Sequence, residues 1–312
     1  MTSTPFDSTP PPASDPRSRR QLRSRRRRRK AYIRSVYFLP SLATLGNAVC
    51  GFGAIYVCHL NPADYTADPW THAFATHRFL AACYLILLAM LFDALDGRLA
   101  RWARHTTDFG GQLDSMADVI SFGAAPAMIA LALFKHEVPG APLFVSRLVW
   151  AIGAVYVSCA AIRLARFNVS NEHGEQAHMS FLGLPSPGAG AAVIGLVMVQ
   201  QELRLQSNAG FYYENVIWVL RRLGDASVYA LPALTLAAGL LMVSNFRYPH
   251  LVNKYLRGRR TIGRLVATLL ILVLLVTAHR YTVGLSSVAY AMSAPIWFLW
   301  LRRRAAKSVA AN

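Results

Sequence analysis

The stretch LFDALDGRLARWARHTTDFGGQLDSMADVISFGAAPA, residues 91–127, decides how this chain is read. It sets four aspartates, Asp93, Asp96, Asp114 and Asp118, at or near the ends of two apolar runs. A carboxylate in or beside a membrane span is costly to keep ionised, and so reads as functional by default. Asp93 and Asp96 are three apart and share one helical face; Asp114 and Asp118 are four apart and share another. The short connection 98–111, with Gly110-Gly111 near its end, lets the second helix return antiparallel to the first. The two acidic faces then meet. Converging carboxylates are hard oxygen ligands suited to Mg2+, Mn2+ or Ca2+. Two such ions can clamp both oxygens of a phosphoryl displacement. The same carboxylates would also suit an ion-conducting or proton-relay route. Beside Asp96, Gly97 and Ala100 put small side chains on one helical edge, where a flat group such as a nucleotide can approach the backbone. Helix–helix packing is the other use for such a pair. Arg101 lies one turn from Gly97, within reach of a phosphate oxygen.

Outward from this stretch the chain is apolar. Hydrophobic residues make up 54% and charged residues only 15% of 312, with a mean hydropathy of +0.31. Soluble domains carry about 25% charged residues. Runs near the ~20 residues needed to cross a bilayer lie at 36–58, 77–96, 112–134, 147–168, 185–203, 226–245, 262–279 and 282–301. The expected fold is all-α: a polytopic integral membrane helix bundle of about eight transmembrane helices. Residues 204–225, aromatic and mixed in character, read as an interfacial helix.

Charge placement supports this reading. The net charge is +18, and much of the excess sits in RSRRQLRSRRRRRK, directly before the first apolar run. With that basic tail in the cytoplasm, the loops 97–111, 169–184 and 246–261 and the C-terminus are cytoplasmic and, with their flanks, carry most of the remaining Arg and Lys. The exception is Arg204, Arg221 and Arg222 in the longest outer segment. The tail suits anionic headgroups, and nucleic-acid binding is not expected of it. Residues 1–34 read as a disordered basic cytoplasmic tail, 35–250 as the membrane domain, and 251–312 as a C-terminal transmembrane helix pair with a basic tail. Cys50, Cys58, Cys83 and Cys159 fall in or beside apolar runs without metal-ligand spacing.

The string Asp93-x2-Asp96-Gly97-x2-Ala100-Arg101-x8-Gly110-x3-Asp114-x3-Asp118 resembles, position for position, the signature of the CDP-alcohol phosphotransferases. The resemblance implies that Asp93, Asp96 and Asp114 bind metal, and that Asp118 both touches a second metal and acts as general base on the acceptor hydroxyl. It implies Mg2+ or Mn2+, two ions per site, and a homodimer. Gly97, Ala100, Arg101 and Gly110 match positions that meet the CDP moiety. Thr107 lies where relatives often place a small hydroxyl residue near the nucleotide.

Further segments narrow the resemblance: LPSLATLGNAVCGFGAI at 39–55, RLARFNV at 163–169, FLGLPSPGAGA at 181–191 and MVSNFRYP at 242–249. With Ser121-Phe122-Gly123 and Pro126, they are similar to the branch acting on CDP-diacylglycerol and L-serine. Ser41 stands where relatives often carry Asn, which leaves Thr44 and Asn47 to serve the diphosphate. Arg163 and Arg166 are candidates for the acceptor's carboxylate or a lipid phosphate; anchoring at a cytoplasmic helix end is their plainer use. Pro185 and Pro187 read as setting a helix start, and His173 and His178 as solvated residues. Glycerol phosphate, inositol phosphate or choline as acceptor stays open within the family. A cation transporter stays open outside it, although no second copy of the acidic pattern appears.

Overall fold

Local sequence sets where the helices begin. The computed structural model describes residues 42–103, 108–172, 183–210, 212–246, 248 and 273–309. Among these, every regular element is helical. Helix α1 is Leu42–Cys58. A 3-10 turn, Pro62–Tyr65, and α2, Pro69–Thr76, lead to α3, Arg78–Ala103. Asp68 caps α2 by accepting the Thr71 N–H at 3.0 Å, which also holds its carboxyl below the usual range. Helix α4, Asp108–Asp118, runs through a π segment, Val119–Ala124, into α5, Ala125–Glu137. Next come α6, Leu143–Glu172, α7, Ser186–Asn208, α8, Glu214–Val243, and α9, His279–Val309.

Two prolines recur in one device. Pro126 has no N–H to give the carbonyl four residues back, that of Phe122. The buried Tyr156 hydroxyl of α6 donates to that carbonyl at 2.9 Å. Pro295 in α9 likewise leaves Ala291 without its helical donor, and the Tyr248 hydroxyl donates there at 2.8 Å. Each tyrosine therefore ties a proline-containing helix to a neighbouring segment while satisfying an acceptor that lacks its helical donor.

Helix α7 is the centre of the bundle. It packs against α3, α5, α8 and α9 and buries Ala189, Ala192, Val193, Ile194, Val197 and Met198. Small residues let backbones approach closely without bulky side chains between them. Gly195 of α7 and Gly284 of α9 cross so closely that a Cβ on Gly284 would lie 2.5 Å from the Gly195 carbonyl oxygen. The approach to α7 is equally tight. Gly183 has φ +86°, donates its N–H to Phe246 O at 2.8 Å, and leaves no room for a Cβ, which would meet Met242 O at 2.3 Å. Leu184 N–H adds a bond to Leu241 O at 2.9 Å. Gly183→Ala therefore combines a left-handed backbone with a backbone clash. We expect it to destabilise the protein by at least ~2 kcal/mol, read as a lower unfolding midpoint in detergent; an unchanged midpoint would contradict the tight docking of this loop.

Among the described residues, four of the eight expected spans meet the length and apolarity of a membrane crossing: Arg78–Leu99, Phe109–Glu137, Leu143–Val169 and Glu214–Val243. These are the helices of a multi-pass membrane protein. Helix α1 is described over a shorter apolar length. Residues 36–41 and most of 262–279 lie outside the described residues. The interfacial helix expected at 204–225 is corrected: residues up to Asn208 finish α7, and Glu214 opens α8. Its mixed composition belongs to the ends of two long helices. The basic exception in that segment is also partly explained, because Arg204 pairs with Glu137 at 2.7 Å and with Asp225 at 2.9 Å.

Candidate active site

Helix α3 carries Asp93 and Asp96, and α4 carries Asp114 and Asp118. The helices bring Asp93, Asp114 and Asp118 together, with one carboxylate oxygen of each within 4.8 Å of the others. At about 5 Å and an effective dielectric near 20, each pair of unit charges repels by roughly 3 kcal/mol. Such a cluster requires a compensating cation or bound protons. The donor set fits a divalent cation, since all three residues offer hard oxygens. Asp114 Oδ1 and the neighbouring Asp96 Oδ2 are moreover buried without a hydrogen-bond partner. Asp96 stands outside the closest trio and is 5% exposed.

Helix α1 braces both acidic faces. Thr44 hydrogen-bonds the Asp96 side chain. One turn on, the fully buried Asn47 donates Nδ2 to Asp118 Oδ1 at 3.1 Å. Both were expected to serve a diphosphate; here each is turned to a carboxylate. The Asn47 carbonyl in turn accepts the Ser121 hydroxyl at 2.8 Å. That bond depends on Gly51, where a Cβ would lie 2.7 Å from Ser121 Cα. The contact is backbone to backbone, so no side-chain rotation relieves it. Ser121 lies in the π segment that starts directly after Asp118. A widened turn here re-aims the residues around it, as π segments at functional sites commonly do. We expect Gly51→Ala to push α1 off this segment and lower turnover about tenfold or more, since misplacement near 1 Å can cost 100-fold. Turnover within twofold of the parent would argue against bracing by α1.

The remaining expected residues divide into several groups. Gly97 and Gly110 are half-buried beside the acidic pairs on α3 and α4. Ala100 and Arg101 continue α3, with side chains outside the described residues, and Thr107, His173 and His178 lie wholly outside them. Arg163 on α6 is partly buried and donates Nη1 to the Ser186 hydroxyl at the start of α7. It is close enough to Asp118 and Asp93 to feel their charge, and its Nε is buried without a partner. Arg166 is exposed.

Sequence reasoning missed two neighbours. Asn168 accepts the Ser115 hydroxyl at 3.0 Å, linking α6 to the α4 turn between the two aspartates. Tyr290 of α9 lies against Gly188 and near Arg163. Asn168 lies within the RLARFNV segment but was not singled out there, and Tyr290 belongs to no quoted segment; helix packing brings both to the site.

The sequence is similar to that of known proteins. A family model described as CDP-alcohol phosphatidyltransferase matches residues 37–221, from α1 into α8. A CDP-diacylglycerol–serine O-phosphatidyltransferase of Helicobacter pylori is 31% identical over 219 residues, covering 70% of this chain and 74% of the relative. A protein of that name from Methanocaldococcus jannaschii is 32% identical over 170 residues, covering 54% and 64%. Another from Bacillus subtilis is 27% identical over 214 residues, covering 68% and 90%.

Proposed function

We infer that this chain, which belongs to the CDP-alcohol phosphatidyltransferase family, transfers the phosphatidyl group of CDP-diacylglycerol to the hydroxyl of L-serine. The products are phosphatidylserine and CMP. The observation that carries this reading is the Asp93–Asp114–Asp118 cluster with Asn47 on Asp118, in a chain related to enzymes of that name.

In this account Asp93, Asp96, Asp114 and Asp118 would hold divalent metal, Mg2+ or Mn2+, with two ions per site. When bound, the metal neutralises the diphosphate and stabilises charge developing on the leaving CMP oxygen. The chain's own groups do the rest. Gly97, Ala100 and Gly110 leave room for the CDP moiety against the backbone, with Arg101 and Thr107 beside it. Asp118 takes the proton from the serine hydroxyl, whose oxygen attacks the phosphorus that carries diacylglycerol. The bond from that phosphorus to the CMP oxygen breaks. Asn47 restrains the Asp118 carboxyl so that it meets the hydroxyl in one orientation. Arg163 and Arg166 supply cationic donors for the serine carboxylate or a lipid phosphate.

The wider setting belongs to the same proposal. The protein spans the cytoplasmic membrane about eight times as a homodimer, with both termini and the site facing the cytoplasm. Residues 1–34 form its tail, 35–250 the catalytic membrane domain and 251–312 a C-terminal helix pair; α9 of that last part packs on α7.

The test is CMP release by purified protein in detergent with CDP-diacylglycerol and Mn2+ or Mg2+. L-serine is compared with glycerol 3-phosphate, inositol phosphate and choline. Release driven by serine alone is expected. Release driven by another alcohol would keep the family and overturn the acceptor; cation flux in liposomes without release would favour a transporter.

A further inference from the structure

A cavity lined by both charged and apolar residues lies at the far end of the bundle. It holds about 480 Å3 and is lined in part by Arg78, Phe79, His136, Gln201, Arg204 and Arg221. Arg78 opens α3, fifteen residues before Asp93. At 1.5 Å per residue the two are about 22 Å apart along the helix. The cavity is therefore separate from the carboxylate cluster. Its volume falls in the range of ligand pockets, roughly 300–1,000 Å3.

Its charges are unevenly matched. Arg204 is occupied by Glu137 at 2.7 Å and Asp225 at 2.9 Å, so both carboxylates turn toward one guanidinium. Glu137 also stands 3.9 Å from His136. Among the described residues neither Arg78 nor Arg221 makes an ion pair. Arg78 lies over the Phe79 ring at 4.9 Å to its centroid, a contact that involves no carboxylate. Arg221, seven residues into α8, is exposed. Two arginines without carboxylate partners thus share one cavity with the amide of Gln201. Planar guanidinium groups bind phosphate oxygens in pairs, at low hydration cost.

We propose that this cavity is a binding site for a phosphate-bearing anion, held between Arg78 and Arg221. The chemistry is that of a phospholipid headgroup or of free phosphate. A headgroup suits a cavity at the ends of three membrane-length helices, α3, α5 and α8, and would tie them to α7 at that end. The proposal does not depend on the reaction assigned to the carboxylate cluster.

The experiment uses the full chain in detergent, with unfolding midpoints followed during titration. One arm titrates short-chain phosphatidylglycerol, one short-chain phosphatidylcholine and one inorganic phosphate. The wild type is compared with Arg78→Gln/Arg221→Gln and with Arg222→Gln, a control whose guanidinium lies over Trp218. Stabilisation by phosphatidylglycerol or phosphate is expected, with the concentration needed rising at least tenfold in the double variant and unchanged in the control. Serine-dependent CMP release should stay within about twofold in both. Stabilisation by phosphate alone identifies a free-anion site, and stabilisation by the lipid only identifies a headgroup site. If the double variant does not fold, Arg221→Gln alone carries the comparison, since its side chain is at the surface. Equal titrations in wild type and variant, or no stabilisation by either anion, would overturn the proposal.

Discussion

Asp118→Asn is expected to abolish serine-dependent CMP release, lowering turnover by about a thousandfold or more. A positioned general base typically contributes 100- to 10,000-fold, and Asp118 is also a proposed metal ligand. The amide has nearly the same shape but cannot accept the hydroxyl proton. Asn47 makes the substitution informative. Its Nδ2 donates to Asp118 Oδ1 at 3.1 Å, and an asparagine at 118 can still present a carbonyl oxygen to that donor. The fold should therefore survive, with an unfolding midpoint near the parent's. Loss of activity together with loss of the fold would leave Asp118 a structural residue; retained activity would remove it from the chemistry.

Asp114→Asn separates stability from function in opposite directions. Three carboxylates within 4.8 Å repel one another when no cation is present. Removing one charge relieves two of the three repulsions, each roughly 3 kcal/mol before solvent and bound protons reduce it. In chelator the variant should therefore unfold at a higher temperature than the parent. Addition of Mn2+ should raise the parent's midpoint and barely move the variant's, because binding to the native state stabilises only where the site is intact. Turnover should fall at least 100-fold. A variant less stable than the parent in chelator would show that the cluster is held by something other than a cation.

Much of the site was legible because it is written locally. Pairs three and four apart on two successive helices, joined by a short Gly-containing connection, leave few ways to keep the carboxylates separate. The structure brings Asp93, Asp114 and Asp118 together and sets Asp96 at the side, toward Thr44. Thr44 and Asn47 were found as polar residues in an apolar helix, but their partners were not: sequence offers no measure of which carboxylate a buried amide will meet. The two tyrosine-to-carbonyl ties were equally invisible. Tyr156 and Phe122 are 34 residues apart, and Tyr248 and Ala291 are 43 apart. Only after the helices pack does the carbonyl left without a proline N–H acquire a donor from a distant tyrosine. The misreading of 204–225 has a similar origin. Aromatic and basic residues gather near a membrane surface whether they form a separate helix or the end of a spanning one, and composition alone does not distinguish the two. Tyr290 lies beyond the matched 37–221 segment altogether, and reaches the site through the Gly195–Gly284 crossing of α7 and α9.

The most direct measurement follows one oxygen atom. Purified protein is given CDP-diacylglycerol, Mn2+ and L-serine carrying 18O in its hydroxyl, and the products are weighed by mass spectrometry. Attack by the serine hydroxyl predicts phosphatidylserine that retains the 18O and CMP that does not contain it. Labelled CMP, unlabelled phosphatidylserine, or no phosphatidylserine from folded, metal-loaded protein would contradict the account.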